Sequence, residues 1–275
     1  MRTKLSLRGL GLEAIMIIAA LIFVFPIYVF VVIAFKKPQD VVAAPLTPPT
    51  EPYLGNFVEA WQAASLGSAF GNSAVIASLS VALLIVFGSL AGYQLARRRT
   101  KLSYGLYLMF LLGLMIPLQL GMVPLYQFMR DANLLRTYTS LIIFHVGHQL
   151  PLTIFLYAGF VRALPRDYEE AAYVDGASRL KTYAMIVFPL LRPVTGTVII
   201  LNAIGIWNDF LTPMLYVGGS AQQTLPVSIF SFRGEFATRW GPIFAGMALA
   251  IVPIMIVYFM LQRSIIKGFA SGLRG

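Results

Sequence analysis

Long runs of hydrophobic residues, separated by short polar or charged segments, dominate the chain. Six of these runs are long enough to cross a bilayer, since a helix needs about 20 mostly apolar residues to span the hydrocarbon core. They lie near residues 14–35, 70–96, 102–128, 140–160, 183–206 and 243–261. The pattern predicts an all-α membrane protein with six transmembrane helices. Because the connecting segments leave no room for a large soluble domain, we expect residues 1–275 to form a single transmembrane domain.

The first hydrophobic run is preceded by Arg2, Lys4 and Arg8, as in a secretory signal peptide. Its apolar part is longer than the 7–15 residues of a signal sequence, and two lysines follow it directly. We therefore expect an uncleaved first span. Five prolines then fall within residues 36–52. Because proline disrupts a helix interior, this segment is predicted to be an extended connector on the external side.

The amino-acid composition agrees with a membrane protein. Of the 275 residues, 58% are hydrophobic and 12% are charged, and the mean hydropathy is +0.78. Soluble domains carry about 45–50% apolar and about 25% charged residues. The composition therefore excludes a soluble enzyme, a disordered chain and a disulfide-rich secreted module. The absence of cysteine also removes thiolate metal ligands and a cysteine nucleophile.

The net charge of +10 is interpreted as a signal of membrane orientation and not of nucleic-acid binding, because Lys and Arg accumulate on cytoplasmic loops. Fifteen of the 21 Lys and Arg residues fall on one side of the predicted topology, together with both termini. We therefore expect a multi-pass membrane protein with both termini in the cytoplasm. Membrane lipid is an expected partner, and nucleic acid is not.

Charged residues are absent from the centres of the six predicted spans. A central charge costs about 2.5–3.5 kcal/mol and usually marks an ion path or a buried catalytic site. Their absence argues against an ion-coupled carrier, an intramembrane protease and a channel for charged ions. His145 and His148 lack a nearby carboxylate or cysteine in sequence to complete a metal shell, so we expect no metal site. They are expected to form hydrogen bonds within the bundle or to line a polar lumen.

Residues 161–192 form the longest predicted cytoplasmic loop and carry a distinctive pattern. Pro165 is expected to end the preceding helix, and Asp167 is expected to cap a short new one. Glu169 and Glu170 then fall in the first turn, where the helix dipole favours acidic side chains.

A turn and a second helical segment complete this loop. Asp175-Gly176 predicts a turn with Gly176 at positive φ, and an amphipathic segment at 177–187 leads back to the membrane. One interpretation is a loop that only connects two spans. Connections of that kind are usually shorter, so the pattern favours a knob that fits a socket on another protein.

The loop resembles the EAA motif of ABC importer permeases, EAA---G---------I-LP. The matching residues are Glu170-Ala171-Ala172, Asp175-Gly176-Ala177 and Phe188-Pro189 with Pro193. Residues 200–217, 224–232 and 262–275 extend the similarity over essentially the whole chain, to the second permease subunit of carbohydrate importers of the maltose-transporter type. The chain departs from the family pattern at Phe188, where Leu is usual, and at residues 219–223, an insert that leaves the shape of the following docking loop open.

The resemblance implies a type I ABC importer permease fold with a cytoplasmic coupling helix, in a bacterial or archaeal-type cell membrane. A homologous second permease would complete a heterodimeric pathway, and an extracytoplasmic binding protein would deliver a sugar or oligosaccharide. ATP and magnesium would be bound by a separate dimer of ABC ATPases, so this chain would be no enzyme and would have no catalytic or cofactor residues. It also lacks the GxxxxGK[ST] phosphate loop.

The resemblance also assigns residues to the partner contacts. Glu170 would face a basic residue of the ATPase, so reversing the charge of Glu169 is expected to be milder than reversing that of Glu170. The expected coupling residues are Glu170, Ala171, Ala172, Asp175, Gly176, Ala177 and Pro189. The expected contacts with the binding protein are Gly218, Gly219, Ser220, Ala221, Gln222 and Gln223, in the loop before the last span.

Trp207, Asn208 and Asp209 follow the fifth predicted span. Their position suits either an interfacial aromatic anchor with a helix-ending polar pair or the external mouth of the pathway. Two alternative functions also remain open. One is a permease for a polyol, a sugar phosphate or another small solute. The other is a membrane-embedded enzyme, which the missing catalytic constellation disfavours.

Overall fold

The computed structural model describes residues 7–98, 100–234 and 239–272. These residues are organised as helices joined by short loops and turns, which confirms the predicted all-α fold class. The helices are α1 (Leu7–Ala34), α2 (Pro38–Ala43), α3 (Gly55–Ala63), α4 (Leu66–Arg97), α5 (Lys101–Gly113), α6 (Leu118–Asp131), α7 (Tyr138–Ala163), α8 (Asp167–Val174), α9 (Arg179–Thr182), a π-helical turn (Tyr183–Val187), α10 (Phe188–Leu190), α11 (Arg192–Asn208), α12 (Leu211–Val217), α13 (Leu225–Phe230) and α14 (Trp240–Gly272).

Four helical segments in the described part of the chain are long and apolar enough to cross a membrane. They are Gly11–Ala34 within α1, the whole of α4 and α7, and Trp240–Met260 within α14. Two bent helix pairs bring the number to six if each pair is one span. The structure therefore contains four to six candidate spans. That each bent pair forms one span, giving six in total, stays a prediction.

The third and fifth hydrophobic runs, predicted as single helices, are broken in the structure. Helices α5 and α6 meet at 97°, and Arg179–Leu190 meets α11 at 73°. Prolines lie at both breaks, with Pro117 preceding α6 and Pro193 near the start of α11. Proline cannot donate the backbone hydrogen bond that a continuous helix requires, so an unbroken apolar run need not form an unbroken helix.

The sequence predicted an extended connector after α1, but the structure shows that the connector contains the short helix α2. Pro38 is the first residue of this helix, a position where the missing amide hydrogen is not needed. The connector is also closed by Lys36, whose buried ammonium group donates to the carbonyl of Ala44 and, at 3.1 Å, to Thr47 Oγ1.

The chain divides into two compact units, the first within Met1–Gly67 and Ser228–Ile251. The amide of Asn56 is buried in this unit and donates to the carbonyls of Ala34 and Lys36 at 2.9 and 2.7 Å. Arg239 and Glu59 form an ion pair there as well. The contacts of Asn56 fix the start of the connector against α3, and the ion pair joins α3 to the residue before α14.

The second unit lies within Ser68–Val227 and Val252–Gly275 and contains the predicted cytoplasmic loop. Helices α4 and α7 approach closely in it, because glycines lie at the contact. A Cβ atom on Gly88 would lie 2.3 Å from Thr153 Cγ2, and one on Gly92 would lie 2.7 Å from Tyr157 Cβ. Small residues at such crossings are typical of helix packing in membranes. The buried core beside the crossing consists of Tyr93, Tyr157, Val161, Tyr183, Val187, Leu191, Val194 and Val198.

Candidate functional site

The predicted cytoplasmic loop contains the short helix α8, as the sequence indicated. Its first turn carries Asp167, Glu169 and Glu170, where the free backbone amides of a helix start favour carboxylates. The prediction that Asp167 caps the helix is wrong. Arg166 holds the cap position with a helical backbone and no side-chain cap, so Asp167 already lies inside the first turn.

The predicted turn after α8 is confirmed. Gly176 has a φ of +78°, a conformation that costs glycine little because it lacks a Cβ atom. Its amide donates to the carbonyl of Tyr173 at 3.1 Å, and the amide of Ala177 donates to that of Ala172 at 2.9 Å. Asp175 and Gly176 are exposed, and Ala177 is half-buried.

The segment that returns to the membrane is less regular than predicted. After α9, the chain forms the π-helical turn Tyr183–Val187 before α10. Pro189 lies half-buried within α10, just before the 73° bend. Such π-helical turns are rare and often occur at functional sites, and no feature of the sequence pattern distinguishes this one from an ordinary helix.

The two adjacent glutamates of α8 have opposite environments. Glu169 is buried and accepts a hydrogen bond from Arg97 Nε at 2.7 Å and one from the Tyr93 hydroxyl at 2.9 Å. Glu170 is exposed, and no ion pair involves it in the part of the chain that the structure describes. Glu169 therefore serves the packing of this chain, whereas Glu170 is available to a partner.

Arg97 makes further contacts that fasten the loop to the end of α4. Its guanidinium donates to the carbonyl of Leu164 at 3.0 Å, and Arg166 donates to the carbonyl of Arg97 at 3.2 Å. We call the group of Tyr93, Arg97, Leu164, Arg166 and Glu169 the Arg97 clamp. The sequence did not predict the Arg97 clamp, because Arg97 lies in a run of basic residues that indicates only membrane orientation.

The remaining α8 residues divide between a buried and an exposed face. Ala172 is only 6% exposed and packs within this chain, whereas Val174 is 88% exposed. Ala171 is exposed beside Glu170. Glu170, Ala171 and Val174 lie together on the side of α8 away from Glu169 and Ala172, and we call them the exposed face of α8; Asp167, Tyr168 and Tyr173 are exposed as well. That both alanines meet a partner and that reversing Glu169 is mild stay predictions, which the burial of Ala172 and Glu169 disfavours.

The candidate external segment, residues 218–223, is an ordered turn between α12 and α13. The amide of the buried residue Asn72 donates to the carbonyls of Ala221 and Gln223 at 2.9 and 2.8 Å. Asn72 in turn accepts a hydrogen bond of 2.7 Å from the Tyr138 hydroxyl. Asn72 was not predicted from the sequence, since 149 residues separate it from Ala221.

Within this turn, the residues differ in exposure. Gly219, with a φ of +70°, and Ala221 are exposed. Gly218, Ser220, Gln222 and Gln223 are half-buried. The two exposed residues form the accessible tip of the segment.

The third candidate group lies at the end of α11. Trp207 is buried and packs edge-on against Phe70, with ring centroids 5.5 Å apart. Asp209 is half-buried, accepts a hydrogen bond from the amide of Thr212 at 3.3 Å, and lies 4.0 Å from His145 Nε2. Asn208 is exposed. Trp207 is thus a packing residue, and Asn208 alone presents a freely exposed side chain.

The two histidines of α7 differ from each other. His145 is buried, and its Nε2 atom has no hydrogen-bond partner within residues 7–98, 100–234 and 239–272. The exposed ring of His148 stacks on Phe144, with centroids 5.8 Å apart. In the same residues no group of three or more histidines and carboxylates is placed to hold a metal ion.

Comparison with known proteins gives consistent matches over most of the chain. A family model described as "Binding-protein-dependent transport system inner membrane component" matches residues 84–271. The melibiose/raffinose/stachyose import permease protein MelC of Bacillus subtilis (strain 168) is 38% identical over 272 residues, covering 98% of this chain and 97% of that protein. The probable starch degradation products transport system permease protein AmyC of Thermoanaerobacterium thermosulfurigenes is 33% identical, covering 93% of each chain.

A solved structure matches the fold as well. It is the crystal structure of a bacterial ABC transporter involved in the import of the acidic polysaccharide alginate. The match has a TM-score of 0.82 and covers 96% of this chain and 98% of that chain, at 19% sequence identity. The likeness therefore concerns the fold, and it confirms the fold class that the sequence predicted.

Proposed function

Because this chain belongs to the family of binding-protein-dependent transport system inner membrane components, we propose that it is a permease subunit of an ATP-driven importer for a sugar or oligosaccharide. The exposed face of α8 carries the proposal for coupling, since a carboxylate and two apolar side chains project from a helix that the Arg97 clamp holds in place. The similarity to MelC and AmyC, whose names refer to oligosaccharides and starch products, supports a carbohydrate solute.

In the proposed mechanism, α8 passes movement of a partner ATPase to the membrane helices of this chain. A partner ATPase binds ATP and magnesium and receives the exposed face of α8 in a cleft, with Glu170 beside a basic residue. Closure of the ATPase dimer displaces α8. Since Arg97 at the end of α4 is bound to Glu169 at 2.7 Å, the displacement is passed directly to a membrane-crossing helix. A homologous second permease forms the other half of the pathway.

Uptake measurements in a deletion strain test the proposal directly. We expect a strain that lacks this gene to lose uptake of a labelled oligosaccharide, such as raffinose or maltotriose, and to recover it when the gene is restored. Excess polyol or sugar phosphate serves as a competitor for the alternative solutes. If the deletion strain keeps normal oligosaccharide uptake but loses uptake of a labelled polyol or sugar phosphate, the carbohydrate assignment is wrong.

The proposed orientation has a separate test. We expect reporter fusions after Leu164 and after Gly275 to report a cytoplasmic location, because Lys and Arg are concentrated on that side of the predicted topology. A fusion after Ala132, which is exposed at the end of α6, is expected to report the external side. An external signal at Leu164 would contradict the placement of α8 at a cytoplasmic ATPase.

We also expect Ala221→Arg to reduce the stimulation of ATP hydrolysis by the binding protein while leaving the complex assembled. Ala221 is exposed at the tip of the external turn, and its side chain takes no part in the hydrogen bonds to Asn72. The matched control is Ala132→Arg, which adds the same side chain at another exposed site on the predicted external side. Equal stimulation of wild type and Ala221→Arg would remove the turn from the proposed contact.

A further inference from the structure

An arginine-lined cavity lies beside the Arg97 clamp, where the ends of α4 and α7 meet the starts of α5 and α8. Its volume is about 790 Å³. Four arginines line it, namely Arg97, Arg98, Arg162 and Arg166, together with the hydroxyl-bearing side chains of Thr100 and Tyr104. All of these residues belong to the second compact unit, so the cavity is a feature of one folded body.

The cationic charge of this cavity is only partly balanced. Arg97 is paired with Glu169 at 2.7 Å. Arg98, Arg162 and Arg166 are exposed, and they form no ion pair with the acidic residues that the structure describes. Arg162 instead lies over the ring of Tyr107, 4.2 Å from its centroid. Three guanidinium groups around one cavity repel each other unless an anion joins them, and a phosphate accepts several guanidinium hydrogen bonds at once.

An apolar groove continues from the arginine cavity along α5. It has a volume of about 330 Å³ and shares Leu95, Arg98 and Thr100 with the cavity. The groove then passes Leu102 and Leu106, both of which are exposed. An inorganic anion would fill the cavity alone, whereas a phospholipid has a charged headgroup and an attached hydrocarbon chain that match the cavity and the groove together.

We propose that this composite site binds an anionic phospholipid of the leaflet next to α8. The headgroup phosphate lies among Arg98, Arg162 and Arg166, and one acyl chain lies along Leu102 and Leu106. Basic pockets between membrane helices near the membrane surface are suited to anionic headgroups. Arg166 also belongs to the Arg97 clamp, so the bound lipid adjoins the segment that holds α8. The proposal does not depend on which solute the protein transports.

Lipid titration followed by native mass spectrometry tests the site on the purified full-length chain. The probes are dioleoylphosphatidylglycerol and, as a neutral lipid with the same chains, dioleoylphosphatidylcholine. We expect the anionic lipid to bind at least ~10-fold more tightly. The triple variant Arg98→Gln, Arg162→Gln, Arg166→Gln is expected to lose that preference, since each basic group near a membrane surface contributes roughly a fivefold factor. The control variant Arg130→Gln, Arg136→Gln, Arg233→Gln removes three exposed charges elsewhere and is expected to keep it.

Two further measurements separate a lipid from a free anion. Leu102→Gln with Leu106→Gln is expected to weaken binding of the anionic lipid, because the acyl chain loses its apolar groove. Inorganic phosphate at millimolar concentration is expected to leave the bound lipid in place. The proposal is overturned if the two lipids bind equally, if the arginine variant keeps the preference, or if phosphate displaces the lipid. The conservative variant with lysine at all three positions keeps the charge and is expected to bind the anionic lipid, which separates loss of charge from loss of folding.

Discussion

Glu170→Lys is expected to weaken binding of the partner ATPase by more than about 100-fold and to abolish coupled uptake. The exposed carboxylate of Glu170 lies on the face of α8 proposed to enter the ATPase cleft. When one member of a buried ion pair is lost, about 3–5 kcal/mol is lost with it, and 3 kcal/mol is more than a factor of 100 in affinity. Co-purification of the ATPase and oligosaccharide uptake would both measure the effect.

A matched control for this charge reversal is Glu51→Lys. The Glu51 side chain is 80% exposed and lies in the connector after α1, far along the chain from α8. Exposed ion pairs contribute only about 0–1 kcal/mol, so normal binding and uptake are expected for the control. If Glu170→Lys also binds the ATPase normally, α8 is only a connection between two spans.

Glu169→Lys is expected to release α8 from α4 even when no partner is present. The reversal removes a largely buried carboxylate that pairs with Arg97 and accepts a hydrogen bond from Tyr93. Loss of one partner of a buried ion pair costs about 3–5 kcal/mol, and the new lysine adds a second cation beside Arg97. Limited chymotrypsin digestion of the purified chain would detect the release, because Tyr168 and Tyr173 lie in α8 and are exposed, and neither lysine substitution creates a site for this protease. Faster cleavage is expected for Glu169→Lys and an unchanged rate for Glu170→Lys.

A charge exchange provides the control for the Arg97 clamp. Arg97→Glu alone is expected to cause the same release, whereas Arg97→Glu combined with Glu169→Arg restores opposite charges and is expected to recover part of the stability. The deviation from additivity measures the direct interaction. Additive effects of the two substitutions would show that the 2.7 Å contact does not hold the loop in place.

The parts of the site that depend on neighbouring residues were predictable from the sequence. Pro165, the acidic first turn and Asp175-Gly176 are local signals, and they correctly placed α8 and its turn. The motif resemblance assigned Glu170 to a partner, but the burial of Glu169 was not predictable, because the two side chains are chemically identical. The contacts of Glu169 with Tyr93 and Arg97, more than 70 residues earlier in the chain, separate the two environments.

The membrane spans likewise combine features that the sequence predicts with features that it does not. Hydrophobic runs located the membrane-crossing regions, because apolar length is a property of the sequence alone. The bends beside Pro117 and Pro193 were not predicted, since proline is compatible with either a mild kink or a break. Packing against other helices decides between the two. The hydrogen bond from Asn72 to the turn at residues 218–223 likewise depends on a distant contact.

In the proposed mechanism, α8 couples ATP hydrolysis in a partner subunit to movement of a sugar through this chain. The most direct measurement uses proteoliposomes that contain this chain, its second permease and the ATPase, with the binding protein and labelled oligosaccharide on the external side. Wild type is expected to accumulate the sugar only with ATP on the ATPase side, and Glu170→Lys is expected to accumulate none. Sugar accumulation by wild type without ATP, or normal accumulation by Glu170→Lys, would contradict coupling through α8.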